Sequence, residues 1–281
     1  MHTSATVSVL IPSFNRAYCL PRALDSVLEQ SHTPLEIIVV DDGSTDDTAA
    51  LLADKYPNVR HLEQRNQGVS AARNTGIAAA TGDWIALLDS DDAWHPRKLE
   101  KQLLAAAEHP DMRLVHCDEL WIRNGVRVNP KNRHQKTGGW IFEHCLPLCA
   151  MSPSASMIRR DVFDDIGLFD TALPACEDYD FWLRLTHQEP VLYIDEALLS
   201  KYGGHEDQLS RAHWGMDRFR IQVLLKLLRE TPQLQAAYRA AALDTLKSKI
   251  AVYSAGARKR GRDAEADDLA SAYAAVAGDI A

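Results

Sequence analysis

The stretch "GDWIALLDSDDAW" occupies Gly82 to Trp94. Its first half is an unbroken apolar run, Trp84 to Leu88, and it is followed by a polar turn in which Asp89, Asp91 and Asp92 surround Ser90. A short apolar run bounded in this way reads as a buried strand. Adjacent carboxylates repel one another and keep their charge cheaply only in water, beside basic groups or around a cation. The turn therefore marks a strand end and a place where chemistry concentrates.

Working outward, the segments before it alternate between strand and helix patterns. Strands are predicted at Thr6–Ile11, Leu35–Val40, Asn58–Leu62 and Trp84–Leu88. Between them lie a helix opened by proline at Pro21–Gln30, a helix running to Tyr56 behind a capping box of Ser44 and Asp47, and a helix at Gly68–Ala80. This alternation predicts an α/β fold with a mostly parallel central sheet flanked by helices. In such sheets ligands bind beyond the carboxyl ends of the strands. Three predicted strands end in polar clusters that open on that edge: "PSFNR", "DDGSTDD" and "DSDDAW". Gly43 permits a tight turn after Asp41 and Asp42, so one of these carboxylates can face a nucleobase or ribose, or the pair simply forms a turn and helix cap. Arg73 and Asn74 ride on a helix over the same edge, where a guanidinium can meet a diphosphate or the carboxylates.

After the acidic turn, a charged helix is predicted from Pro96 to Glu108, a strand at Leu114–Ile122, and a hairpin at "RNGVRV". The basic segment "KNRHQKTGG" reads either as a cover for a site or as a solvated loop. A further strand is predicted at Ser156–Arg160, and "CEDYDFWLRLTH" reads as a helix with Glu177, Asp178 and Asp180 in its first turn, where acidic residues are favoured by the helix dipole alone. From Gln208 the chain turns to long helices. Leu209, Met216, Phe219, Val223, Leu224, Leu227 and Leu228 approximate one face, which packs on the domain or on a second subunit. The expected division is a catalytic domain over residues 1–205 and a helical extension over 206–281, with a homodimer through those helices as one arrangement the face allows.

Composition excludes several classes. A formal charge of −8 argues against general nucleic-acid binding, and 46% hydrophobic with 25% charged residues is ordinary for a globular chain of 281 residues. The longest apolar runs are strand-sized, far short of the roughly 20 residues a spanning helix needs. The N-terminal residues enter a strand-like run without a signal-type segment, so a cytoplasmic location is expected. The cluster Arg258, Lys259, Arg260 and Arg262 leaves room for peripheral contact with the inner face of a membrane or for a phosphorylated acceptor, a solvated helix end being the plainer reading. Five scattered cysteines suggest reduced, buried thiols, and His144, Cys145 and Cys149 do not complete a tetrahedral zinc set. With no GxGxxG after the first strand and no GxxxxGK[ST], dinucleotide and phosphate-loop readings lose support. Asp89 and Asp91, two apart at a strand end, could share a divalent cation and a ribose, with the cation bridging a diphosphate.

The ordered segments "VSVLIPSFNR", "EIIVVDDGSTDDT", "NQGVSAARNTG", "GDWIALLDSDDAW" and "EDYDFWLRL" resemble the large inverting GT-A glycosyltransferase family with SpsA-like bacterial members, over roughly Val7 to Arg211. The resemblance implies a GT-A (nucleotide-diphospho-sugar transferase) fold, a nucleotide-sugar donor, usually UDP-linked, and Mn²⁺ or Mg²⁺. It implies that Pro12 and Phe14 lie beside the base, Asp41 meets the uracil and Arg73 supports the nucleotide. Asp89 then lies nearer the ribose and Asp91 is the metal ligand, with Asp92 an extra carboxylate. Glu177-Asp178 matches the family's acidic pair near the acceptor; Asp178 is assigned as general base, with Glu177 the competing choice. His205 in "KYGGHEDQLS" falls where relatives carry a histidine at the metal or diphosphate, although the order differs from the commoner "HGGxxS". The implied partner beside the donor is a saccharide, lipid-linked or protein-linked acceptor, in polysaccharide or glycoconjugate synthesis. Two rivals stand beside this reading: nucleotidyl transfer, for which "IPSFNRAYCL" lacks the needed glycine-rich basic loop, and a non-catalytic sugar-nucleotide-binding protein.

Overall fold

Strands β1 (Val7–Ser13), β2 (Glu36–Asp41), β3 (Arg60–Glu63) and β4 (Trp84–Leu87) lie parallel in the order β3-β2-β1-β4 in the computed structural model, which describes residues 5–129, 131, 134–204 and 215–278. Their crossovers are α1 (Leu20–Leu28), α2 (Thr48–Lys55) and α3 (Val69–Ala79). Strands β1, β2 and β4 are buried on both faces, so their residues divide between two cores, whereas β3 is a half-exposed edge strand. Val7, Val9 and Ile11 pack with Leu20, Leu24 and Val27 of α1 on one side, while Leu10 packs with Ala72 and Ile77 of α3 on the other. Gly76 permits that second contact, since a Cβ there would meet Leu10 Cδ1 at 1.9 Å. Continuous apolar runs rather than strict alternation are what a sheet covered on both faces demands.

Beyond β4 the sheet becomes mixed. After the two-residue β5 (Ala93–Trp94) and helix α4 (Lys98–Glu108), β6 (Leu114–Arg123) turns at Asn124-Gly125 into β7 (Val126–Val128), the predicted hairpin. Both turn residues have positive φ, 49° and 77°, as a tight hairpin requires. Strand β8 (Met157–Arg159) runs antiparallel between β4 and β6, and β9 (Leu192–Gly203) pairs parallel to β6, giving a sheet of nine strands among the described residues. Short helices α5 (Phe142–Cys145) and α6 (Val162–Asp165) lead to α7 (Glu177–Thr186).

The predicted capping box is not formed. The Ser44 hydroxyl accepts the Asn15 N–H at 2.8 Å, and the first N–H of helix α2 is met instead by the Asp46 carboxylate, two residues further on, which accepts from the Thr48 N–H at 3.1 Å. A carboxylate is the stronger acceptor at a helix N-terminus, and Ser44 is thereby free to tie the first loop to the second. The "KNRHQKTGG" segment is anchored in its described part: Lys136 is buried, pairs with Glu119 at 3.2 Å and donates to the Ala150 carbonyl, and Gly139 bridges to Val191.

Helices α8 (Asp217–Glu230), α9 (Ala236–Arg258) and α10 (Asp263–Gly278) close the chain. Phe219, Val223, Leu224, Leu227 and Leu228 share one core with Phe142, Tyr179 and Trp182, so this face is covered within the chain. Leu209 lies outside the described residues. In the basic cluster, Arg258 pairs with Asp267 at 2.5 Å and Arg262 with Glu265 at 3.3 Å, so the first two turns of α10 neutralise part of it. Among the described residues no helix is long and apolar enough to cross a membrane.

Candidate active site

The carboxyl ends of β1, β2 and β4 open into a cavity of about 820 Å³, closed on its far side by the start of α7 and by α8. Its first wall comes from the loop after β1 and the turn after β2. Asn15, at φ 52°, accepts the Thr45 N–H at 2.7 Å and donates to Ser44, so the two loops are laced together. Pro12 and Phe14 line the cavity, and Phe14 is 45% exposed, an unusual setting for an aromatic ring beside a buried strand.

Of the two carboxylates after β2, Asp42 is the one on the cavity wall. It accepts from Gln64 Nε2 at 2.7 Å and from the N–H groups of Gln67 at 2.9 Å and Gly68 at 2.7 Å, which shapes the loop entering α3. Asp41 is buried beside it, accepts the Ser44 N–H at 2.8 Å and lies 3.8 Å from His61. Gly43 between these groups has φ 81°, and a Cβ there would lie 2.9 Å from the Asn66 nitrogen, so both dihedral and space require glycine.

Arg73 lines the cavity from α3 and is almost fully buried. Asn74 beside it clamps the backbone of Phe169 with two hydrogen bonds, at 2.8 and 3.0 Å, and the Arg73 guanidinium sits 5.2 Å from the Phe169 ring centre. One Nη donates to Asp89 at 2.8 Å and the other to Glu177 at 2.6 Å. Burial alone would lower the Arg73 pKa, but the charges of Asp89 and Glu177 raise it above its ordinary value. Burial pushes Asp89 up, yet Arg73 and Lys201 hold it below the usual carboxylate range.

The acidic turn after β4 divides its carboxylates. Asp89 and Asp91 are half-buried on the cavity wall. Asp92 also reaches that wall but is 1% exposed, accepting from the Ser154 hydroxyl at 2.7 Å and from the Tyr202 N–H at 3.1 Å. Burial, reinforced by Asp91 and Asp89 and opposed by Lys201, raises the Asp92 pKa well above normal. Lys201 on β9 donates to the Ser152 hydroxyl at 2.8 Å and is held charged by Asp92, Glu119 and Asp89 against its own burial. Arg22 donates to the Asp91 carbonyl at 2.6 Å while stacking 3.7 Å from the Tyr202 ring centre, so the backbone of the turn is fixed as well.

The opposite wall begins at Cys176, whose φ of 64° turns the chain so that α7 starts with Glu177 and Asp178. Left-handed backbone at a non-glycine residue costs about 1–3 kcal/mol and persists where surroundings impose it. Glu177 is 4% exposed and committed to Arg73; burial, against the pull of Arg73, raises its pKa. Asp178 is half-buried on the cavity wall, with Oδ1 accepting the Tyr179 N–H at 2.7 Å and Oδ2 lying 3.0 Å from Cys149 Sγ. Arg220 of α8 completes this side. The cavity thus brings together Pro12, Phe14, Arg73, Asp89, Asp91, Glu177 and Asp178; His205 lies outside the described residues.

Among the described residues no three His, Cys, Asp or Glu side chains gather into a ready metal-ligating group. Small octahedral cations usually take one or two carboxylates and complete their shell with substrate phosphates and water. Asp91, with Asp89 beside it on the same wall, fits that mode of binding.

A sheet edge that holds acidic turns on one wall and a helix-borne acidic pair on the other has counterparts among known proteins. Residues 8–167 match the family model described as Glycosyl transferase family 2, and the chain belongs to that family. It is 31% identical to an uncharacterized glycosyltransferase of Rickettsia prowazekii over 211 residues, 73% of this chain and 66% of that one. It is 30% identical to the chondroitin synthase of Escherichia coli over 205 residues, 69% of this chain and 28% of that protein. The aligned regions thus span two thirds of these relatives' length or less. The structure of S. aureus TarS 1–349 in complex with UDP-GlcNAc superposes with a TM-score of 0.75 at 20% identity, covering 95% of this chain and 81% of that one, and shares its fold.

Proposed function

We propose that this chain transfers a glycosyl group from a nucleoside-diphosphate sugar, a UDP-sugar first among them, to an acceptor hydroxyl with inversion. The observation that carries this reading is one cavity with Asp89 and Asp91 on one wall and Asp178 on the other, joined through Arg73. The complex of TarS with UDP-GlcNAc supports the donor class by likeness of fold.

In this reading the nucleobase and ribose lie against Pro12, Phe14 and the Asp41-Asp42 turn, with Asp89 toward the ribose and the Arg73 charge behind the donor. A bound Mn²⁺ or Mg²⁺ would supply positive charge to the leaving diphosphate; Asp91, aided by Asp89, is the group on this chain to hold it, and His205 is proposed as a further ligand. The acceptor oxygen attacks the anomeric carbon from the face opposite the diphosphate. The bond from that carbon to the phosphate oxygen breaks, its electron pair leaves with the nucleoside diphosphate, and the hydroxyl proton passes to Asp178. Asp178 is preferred over Glu177 because Glu177 is engaged by Arg73 at 2.6 Å. A positioned base of this kind contributes about 10²–10⁴-fold.

Residues 1–205 form the catalytic part in this proposal and 206–281 an extension that completes the acceptor side, for which Arg220 on the cavity wall is the support. The acceptor is a saccharide, free or carried on lipid or protein, and the site of action is the cytoplasm or the inner face of its membrane. The test is to incubate the protein with a panel of nucleotide sugars, with and without Mn²⁺, and measure released nucleotide. UDP or GDP release without pyrophosphate is expected; pyrophosphate release would favour nucleotidyl transfer, and no turnover with any donor would favour a binding role.

A further inference from the structure

We propose that Cys149 is a positioning residue for Asp178, its thiol donating to Asp178 Oδ2 before the reaction and turning to the Met151 carbonyl once Asp178 has taken up the acceptor's proton. This rests on the reading of Asp178 given above. Cys149 Sγ lies 3.0 Å from Asp178 Oδ2 and 3.1 Å from the Met151 oxygen, so one thiol hydrogen faces two acceptors. While Asp178 is ionised the carboxylate is the stronger acceptor. After proton transfer Asp178 carries an O–H, its pull on the thiol weakens, and the carbonyl becomes the better partner. The thiol hydrogen stays on sulfur throughout, and the transferred proton stays on Asp178.

The other four cysteines are buried, whereas Cys149 is half-buried and lines the cavity with Asp178. Oδ1 is held by the Tyr179 N–H of the same helix and Oδ2 by the thiol, so the two contacts together fix the plane of the carboxylate. A weak donor suits this task. A lysine or arginine in its place would stabilise the ionised carboxylate and weaken it strongly as a base, whereas a thiol, a weak neutral donor, orients it at a smaller loss of basicity. Among the described residues, the other charged or titratable groups facing Asp178 are Glu177 and Cys176 at the start of α7 and Arg73 from α3, with Arg220 of α8 on the same cavity. Burial, and after it the Asp178 charge, raises the Cys149 thiol well above its ordinary pKa, so it remains a neutral donor.

Two measurements decide the proposal. The first is the pH profile of nucleotide release from whichever donor the wild-type protein turns over. Cys149→Ala is expected to lower turnover by about three- to tenfold and to move the acidic limb up by as much as about one unit, a tenfold change in proton affinity. Cys149→Ser restores turnover and returns the limb to or below its wild-type position. An unmoved limb in Cys149→Ala, or failure of serine to rescue, overturns the assignment. The second measurement needs no turnover: alkylation of Cys149 by iodoacetamide, followed by peptide mapping. Loss of the neighbouring charge in Asp178→Asn is expected to accelerate alkylation severalfold, and an unchanged rate overturns the contact. Absence of turnover with every donor would count against the functional reading alone, since alkylation still reports on the pair.

Discussion

The Arg73 guanidinium lies 2.6 Å from the Glu177 carboxylate, a buried ion pair between residues 104 positions apart that fastens α3 to the start of α7. The same guanidinium reaches Asp89, so one side chain sets the separation of the two acidic walls. Removing it leaves the buried Glu177 carboxylate without its cationic partner. Arg73→Met is therefore expected to destabilise the fold by about 3–5 kcal/mol, read from urea unfolding. Arg73→Lys keeps the charge without the two-pronged geometry and is expected to fall between wild type and Arg73→Met. Wild-type stability in Arg73→Met would show that the pair is not formed in solution.

The metal assignment is tested by binding rather than by turnover. Wild-type protein is expected to bind UDP more tightly with Mn²⁺ than with EDTA, as followed by calorimetry. Asp91→Asn should bind UDP alike in both, because even outer partners of a metal contribute about 10–100-fold in metal affinity and a direct ligand at least as much. A full Mn²⁺ enhancement in Asp91→Asn removes Asp91 from the metal site.

The two carboxylates after β2 are expected to behave differently. Asp42 lines the cavity and holds Gln64, Gln67 and Gly68, whereas Asp41 holds the Ser44 turn. Asp42→Asn is expected to weaken UDP binding on the order of tenfold, since a hydrogen bond to a charged group is worth about 1.5–3 kcal/mol. A larger loss in Asp41→Asn would return the nucleobase contact to Asp41.

Acid stability should report His116, which is 1% exposed and donates from Nε2 to the Thr137 carbonyl at 2.9 Å. Burial, with the Lys136 charge, lowers its pKa to about 3. The unfolded chain takes up this proton near pH 6.5 while the folded chain resists it. The stability it contributes is therefore complete above 6.5 and declines by up to about 1.4 kcal/mol per unit as pH falls toward 3. His116→Gln can keep the donor and lose the titration. Its melting temperature is expected to fall less than wild type between pH 6.5 and 4, and parallel curves would contradict this.

Strands β1, β2 and β4 were legible because a sheet covered on both faces needs uninterrupted apolar runs, and turn residues bracket each one; the half-exposed edge strand β3, with Arg60 and Glu63 at its ends, was placed by the alternation of strand and helix patterns around it. Strand β9 was not, because "LYIDEALLSKYG" mixes apolar with charged residues and is largely half-buried or exposed. Its Lys201 carried no local signal, and its position beside Asp92 and Glu119 follows only from pairing with β6. The acidic clusters were legible as clusters, but not the division of labour within them. Asp92 is taken by Ser154 and Tyr202, residues 62 and 110 positions away, and no spacing rule announces such partners. Cys149 and Arg220 were missed for the same reason: each gains its place in the cavity from the packing of α7 and α8. The apolar face of α8 left a choice between the domain and a second subunit, which the shared core resolves in favour of the domain.

The most direct measurement compares Asp178→Asn with wild type in two respects on the same preparation: UDP affinity and the rate of nucleotide release from the preferred donor. A loss of about 10²–10⁴-fold in rate with unchanged affinity is the predicted result. A rate within a fewfold of wild type would place the proton acceptor elsewhere and contradict the two-walled account of the cavity.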